Sequence, residues 1–291
     1  MSYDSHTPDS SARPSIDRFG FPHLLATTVV MVAATILLGV AAKATGSGLA
    51  CNANWPLCDG GLLNLFPATF PSFFEWIHRV VAGTAGFFIV GTAVAAWRGG
   101  AASAWIKYAL TLGLLLTPVQ VLLGRETVLS YELTILSLHF WTAMTIFVLF
   151  VASAVAVWSS RLTATHVTAA LGLGAATVPV HVVLSPLFIG TYTPVIQTAQ
   201  YAATLVLLSA VAVAAIVGPR RFDGRRVTGL LTVTPVIAFL VLLFGRRAVM
   251  AFQAELDLVY VLTAVVLFGT MLVGAYLTRK APGQSPDVVA S

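Results

Sequence analysis

Apolar residues run along this chain in long, nearly unbroken stretches separated by short polar breaks. A bilayer-spanning helix takes about 20 mostly apolar residues. Eight stretches meet that length: 22–43, 73–97, 104–124, 132–158, 164–185, 195–217, 228–245 and 253–277. Continuous runs of this kind predict helices and not barrel strands. Polar tails, 1–21 and 278–291, flank them. The pattern predicts an all-α integral membrane protein with eight transmembrane helices.

Composition narrows the class. Of 291 residues, 58% are hydrophobic and 9% charged, against about 25% charged in a soluble domain. That excludes a soluble enzyme, a disordered chain and a disulfide-stapled secreted domain. The net charge of +5 carries no nucleic-acid message, because the cations sort by loop. With the N-terminus inside, Arg13, Arg18, Arg98, Lys107, Arg161, Arg220, Arg221, Arg225, Arg226, Arg279 and Lys280 fall on the cytoplasmic side. Lys43, Arg79, Arg125, Arg246 and Arg247 fall on the other. Both termini are expected in the cytoplasm. Asp4, Asp9 and Asp17 argue against a mitochondrial transit peptide, and 22–43 is too long for a signal-peptide core. The expectation is a multi-pass plasma-membrane protein of prokaryotic type that keeps its first helix.

This orientation places the longest loop, 44–72, outside, with both cysteines, Cys51 and Cys58, in it. That side is oxidising in most cells, and six intervening residues let the chain turn back far enough for a disulfide. Two readings stand: a loop staple contributing about 2 kcal/mol, or a redox-active pair above a site.

The halves read as one four-helix unit written twice, 22–158 and 159–277. Gly124-Arg125 recurs as Gly245-Arg246, and at the same offset Leu138–Ala143 aligns with Val259–Ala264. Glu75-Trp-Ile-His78-Arg79 aligns with Gln197–Tyr201. The repeat is parallel, which disfavours an inverted-repeat transporter.

Ionisable groups inside membrane helices are costly and are candidates for function. Glu75, His78 and Arg79 lie in the first turns of the second helix, with Glu75 and His78 on one face. His139 lies about two turns into the fourth, at matched depth near the outer leaflet. Two histidines so placed suit a six-coordinate haem iron; alternatively each is a hydrogen-bonded structural residue. Glu75 alternatively pairs with Arg79 one turn on. His181 has no partner histidine in the eighth helix and reads as structural. His6, His23 and His166 lie in the tail or near cytoplasmic ends.

Thr45-Gly-Ser-Gly-Leu-Ala-Cys51, Asn54-Trp-Pro-Leu-Cys58, Glu75-Trp-Ile-His78-Arg79, Gln120-Val-Leu-Leu-Gly124, Thr127-Val128 and Leu138-His139 together resemble the heme A synthase family over roughly residues 25–150. The resemblance implies an eight-helix membrane enzyme of two four-helix repeats that oxidises the C8 methyl of heme O to a formyl group. It implies His78 and His139 as axial ligands of the substrate haem, with Arg79 beside them, Glu75 as the acidic group near the reacting porphyrin edge, and Cys51 and Cys58 as the extracytoplasmic pair. Heme O synthase and a terminal oxidase are the implied partners; a homo-oligomer is a further expectation. The second half departs from the family: where a histidine pair would hold haem b stand Gln200 and Tyr260. The second haem is therefore expected to be absent. The competing function is a non-catalytic haem-binding assembly factor or carrier for the oxidase.

Overall fold

The computed structural model describes residues 20–49, 66–67, 69–99, 102–130, 132–251 and 253–281. The described residues form eight α-helices: α1 Phe21–Ala44, α2 Phe70–Arg98, α3 Ala104–Leu129, α4 Leu133–Val157, α5 Ala164–Val183, α6 Pro194–Arg221, α7 Arg225–Ala251 and α8 Ala254–Lys280. All eight are long and apolar enough to cross a membrane. The chain is a multi-pass membrane protein.

The helix ends have local causes. Thr69 and Thr193 accept hydrogen bonds from Ser72 N–H and Ile196 N–H, and a proline sits in the first turn of each following helix. That combination satisfies or removes N–H groups with no intrahelical partner. At the other end of α1, Thr45 caps the helix and Gly46 turns the chain with φ +73°. Glycine takes this left-handed conformation without strain.

Several helices run longer than the apolar stretches. α3 continues to Leu129 and α7 from Arg225 to Ala251, carrying Arg125, Arg225, Arg226, Arg246 and Arg247 on helix ends where loops were expected. The reason is that charged residues are poor bilayer residues but good helix formers. Arg221, expected as a cytoplasmic loop charge, is 3% exposed. Its guanidinium donates to the Leu162 and Ser159 carbonyls, each at 2.9 Å.

Each half closes into a ring of helices. α1 packs on α2, α2 on α3, α3 on α4 and α4 back on α1; α5 through α8 repeat the same cycle. α2 and α4 therefore stand diagonally across one ring, and α6 and α8 across the other. One apolar cluster occupies α5–α8, around Leu171, Leu207, Leu231 and Met271. A second lies mainly in α1–α4, around Leu25, Leu110, Phe147 and Phe150, and takes in Leu205 from α6. α6 also packs against α1 and α4, joining the halves.

Lipid tails are as apolar as leucine, so helix association relies on close packing and interhelical hydrogen bonds. Small residues allow the approach. A Cβ on Gly113 would come within 2.6 Å of Phe150, and one on Gly218 within 2.4 Å of Leu231. Thr28 and Thr92 link α1 to α2 at 2.7 Å, and Thr168 donates to Thr278 at 3.0 Å, linking α5 to α8. Phe87, Val195 and Tyr108 remain 82%, 78% and 66% exposed, suiting a lipid-facing surface.

Gly113→Ala is expected to destabilise the protein by about 1–3 kcal/mol through overpacking against Phe150. Gly83→Ala, where a Cβ meets nothing within 4 Å, is expected to be neutral or stabilising by up to about 1 kcal/mol. Thermal unfolding in detergent compares the two.

Candidate functional site

The polar residues of the first half gather at the end of the ring where α1 and α3 finish and α2 and α4 begin. Residues Ser47–Leu49 form a 3-10 turn directly after Gly46, packed against α2. Beneath it lies Glu75, only 7% exposed; a Cβ on Gly48 would stand 3.9 Å from Glu75 Oε2. Arg79 Nε donates to Glu75 Oε1 at 2.9 Å, one helical turn away. The expected pairing is present, and it neutralises a carboxylate that water does not reach freely.

His78 lies between these two residues in sequence and leans its ring on α1. A Cβ on Gly39 would come within 2.8 Å of His78 Cε1, so only glycine admits the ring there. The Thr35 backbone borders the same imidazole. His139, on α4, leans on α3 in the same manner: a Cβ on Gly124 would stand 3.1 Å from its Cε1. Gln120 Nε2 lies 3.3 Å from His139 Nε2. The Gln120-Val-Leu-Leu-Gly124 segment thus supplies both the hydrogen-bond partner and the clearance for His139. Nothing in the spacing of glycines alone announces those roles.

The two imidazoles stand on diagonal helices, close enough to interact electrostatically. Each retains a buried nitrogen, Nδ1, with no hydrogen-bond partner. A buried nitrogen without a partner costs free energy, and a metal ion satisfies it. Two such nitrogens from opposite sides of a helix ring fit axial ligation of a haem iron.

The second half has the same scaffold and different chemistry. Tyr260 leans on Gly245 as His139 leans on Gly124: a Cβ there would come within 2.9 Å of the ring. Gln200 stands diagonally opposite on α6. Its amide donates to the His181 carbonyl at 3.0 Å, and its carbonyl oxygen accepts from the Tyr192 hydroxyl. Thr204 Oγ1 lies 3.2 Å from His181 Nδ1, and the His181 ring meets Tyr260 edge-on at 6.1 Å. The His181 ring thus has a hydrogen-bond partner in Thr204.

Other candidates separate from the site. His166 Nδ1 accepts from Thr163 N–H at 3.2 Å and caps α5; His23 packs edge-on to Trp158. Among the described residues no cluster of three or more His, Cys, Asp or Glu side chains forms a metal site. Cys51, Cys58 and His6 lie outside the described residues.

Comparison with known proteins gives the arrangement a family. The profile of the family described as "Cytochrome oxidase assembly protein" matches residues 22–276, and the chain belongs to that family. Heme A synthase of Bacillus licheniformis is 34% identical over 116 residues, 39% of this chain and 37% of that protein. Heme A synthase of Listeria welshimeri is 28% identical over 114 residues, again 39% and 37%. Protoheme IX farnesyltransferase of Halobacterium salinarum is 38% identical over 110 residues, 38% of this chain and 23% of that protein. The chain thus aligns with well under half the length of these relatives.

Removing one member of a buried ion pair strands the other, at about 3–5 kcal/mol. Glu75→Ala is expected to cost that much stability, with part of the loss recovered in Glu75→Ala/Arg79→Ala. Thermal unfolding of the two singles and the double gives the coupling.

Proposed function

We propose that this member of the cytochrome oxidase assembly protein family is a heme A synthase, converting the C8 methyl of heme O to a formyl group for a terminal oxidase. The observation carrying this reading is the pair of diagonal imidazoles, His78 and His139, each with an unpartnered buried nitrogen. The relatives named heme A synthase support the activity. The relatives named protoheme IX farnesyltransferase act, by that name, on a haem. They support a partnership with a heme O synthase that would supply the substrate.

In this reading His78 and His139 hold the substrate iron from opposite faces, and Gly39 and Gly124 fix where the rings stand. The porphyrin is itself the substrate: going from methyl to formyl, its carbon gains one oxygen atom and loses four electrons to an external oxidant such as dioxygen, for which the porphyrin iron would be the route. Glu75 takes or relays the protons released as the methyl carbon is oxidised, a role that suits a carboxylate in a site sheltered from water. Arg79 positions that carboxylate. The 3-10 turn above Glu75 limits access from the aqueous side.

The wider organisation follows. Residues 22–158 form the haem-binding bundle and 159–277 its degenerate repeat, with both termini in the cytoplasm and the haem end outside, in the plasma membrane. The matching helix cycles and the equivalent Gly124–His139 and Gly245–Tyr260 contacts support the duplication. With Gln200 and Tyr260 in place of a histidine pair, the chain holds one haem.

Coexpression with a heme O source, followed by pigment extraction, tests the activity. Heme A is the expected product, while recovery of heme O alone contradicts the enzyme and supports a carrier. Glu75→Gln is expected to retain bound haem and to lower heme A formation by roughly a hundredfold or more. Unchanged formation in that variant removes Glu75 from the chemistry.

A further inference from the structure

The second half holds a half-open cavity of about 410 Å³ that the proposed activity does not use. It lies at the same end of the molecule as the histidine pair, between α5, α6, α7 and α8, and is bordered by α1 and α4 through Lys43 and Phe140. Pockets of this size hold small ligands.

Three polar groups on its wall have unmet hydrogen-bonding capacity. Ser185 Oγ, Tyr260 Oη and Arg246 Nε are buried without a hydrogen bond of normal geometry, although Tyr260 lies beside Ser185 and Gln200, and Arg246 beside Tyr201. Ser185 and Tyr260 are 3% and 2% exposed. All three are donors, and an N–H of arginine can only donate.

Charge points the same way. Lys43 and Arg246 both line the cavity and lie within electrostatic range of each other, although they come from different halves. Arg246 stacks over Phe140 at 5.1 Å and borders the Tyr201 hydroxyl. Asp257 is the one carboxylate on the wall. The salt bridges among the described residues, Glu75–Arg79 and Arg125–Glu126, use none of these three charges. The charged side chains on the wall, Lys43, Arg246 and Asp257, therefore sum to a net positive charge, while Phe140, Leu187 and Leu242 supply an apolar side.

We propose that this cavity binds an amphiphile with an anionic oxygen headgroup, a carboxylate or a phosphate on an apolar body. The oxygens accept from Ser185, Tyr260 and Arg246, Lys43 adds charge, and the apolar body lies along Phe140 and Leu242 toward the bilayer. Charge-assisted hydrogen bonds to arginine are strong where water is scarce. Gln200 already bonds Tyr192 and the His181 carbonyl, so it is engaged in the wall and not offered to the ligand. Phe140 directly follows His139, which places the ligand beside the haem-binding helix. The assignment does not depend on heme A synthase activity.

The test uses the purified full chain in neutral detergent, following the melting temperature during titration. The probes are phosphatidylglycerol, oleate, phosphatidylcholine and inorganic phosphate. Phosphatidylglycerol or oleate is expected to raise the melting temperature saturably, and the stronger of the two identifies phosphate or carboxylate as the preferred headgroup. Arg246→Gln is expected to weaken binding by roughly tenfold to a hundredfold, the loss of one charged hydrogen bond. Ser185→Ala, which keeps the charge, is expected to weaken it by less. Equal stabilisation of wild type and both variants overturns the proposal. So does stabilisation by phosphatidylcholine to the same extent, or by inorganic phosphate alone. A second haem per chain that disappears in Tyr260→Phe overturns it in favour of a porphyrin.

Discussion

A bilayer offers no water to polar groups, and that constraint organises this molecule. Every donor and acceptor within the spans must find a partner in the bundle or cost free energy. Most threonines in the helices meet the demand locally, donating to a carbonyl one turn back, as Thr35 does to Met31 and Thr142 to Leu138. Arg221 meets it by capping the Leu162 and Ser159 carbonyls. Glu75 and Arg79 meet it in each other. Against that background, His78 Nδ1, His139 Nδ1 and the donors around the second cavity are exceptions, and they cluster at one end of the molecule.

The two halves show how one scaffold supports different chemistry. In each, a ring side chain on the last helix rests on a glycine of the helix before it: His139 on Gly124, Tyr260 on Gly245. The glycine sets clearance, and the side chain sets chemistry. An imidazole leaves a nitrogen able to ligate iron. Tyrosine leaves a hydroxyl that donates a hydrogen bond, and Gln200 opposite it is drawn into bonds with Tyr192 and His181. The diagonal that carries two imidazoles in the first half thus carries Gln200 and Tyr260 in the second, in a polar wall with cations nearby.

Much of this was legible in the sequence, for physical reasons. The eight spans were, because the apolar length needed to cross a bilayer is hard to mimic. Glu75, His78, Arg79 and His139 stood out because ionisable residues are scarce in such spans. The ends of α3 and α7 did not, because a hydropathy pattern registers where lipid stops and the helix continues beyond it. The partners of the histidines were hidden too: Gly39 and Gly124 are ordinary among 23 glycines, and their importance is the space they leave for rings on other helices. The second cavity was invisible in sequence, since Lys43, Ser185, Arg246 and Tyr260 come together only through packing. The first-loop Thr45-Gly-Ser-Gly motif revealed its structural share only in three dimensions, as the cap of α1 lying over Glu75.

The central claim is that one iron is held between His78 and His139. Optical and electron paramagnetic resonance spectra of the purified, haem-loaded chain address it directly. The wild type is expected to show a low-spin, bis-imidazole haem, with that signature lost in His78→Ala and in His139→Ala. A low-spin spectrum unchanged in both variants would contradict the account.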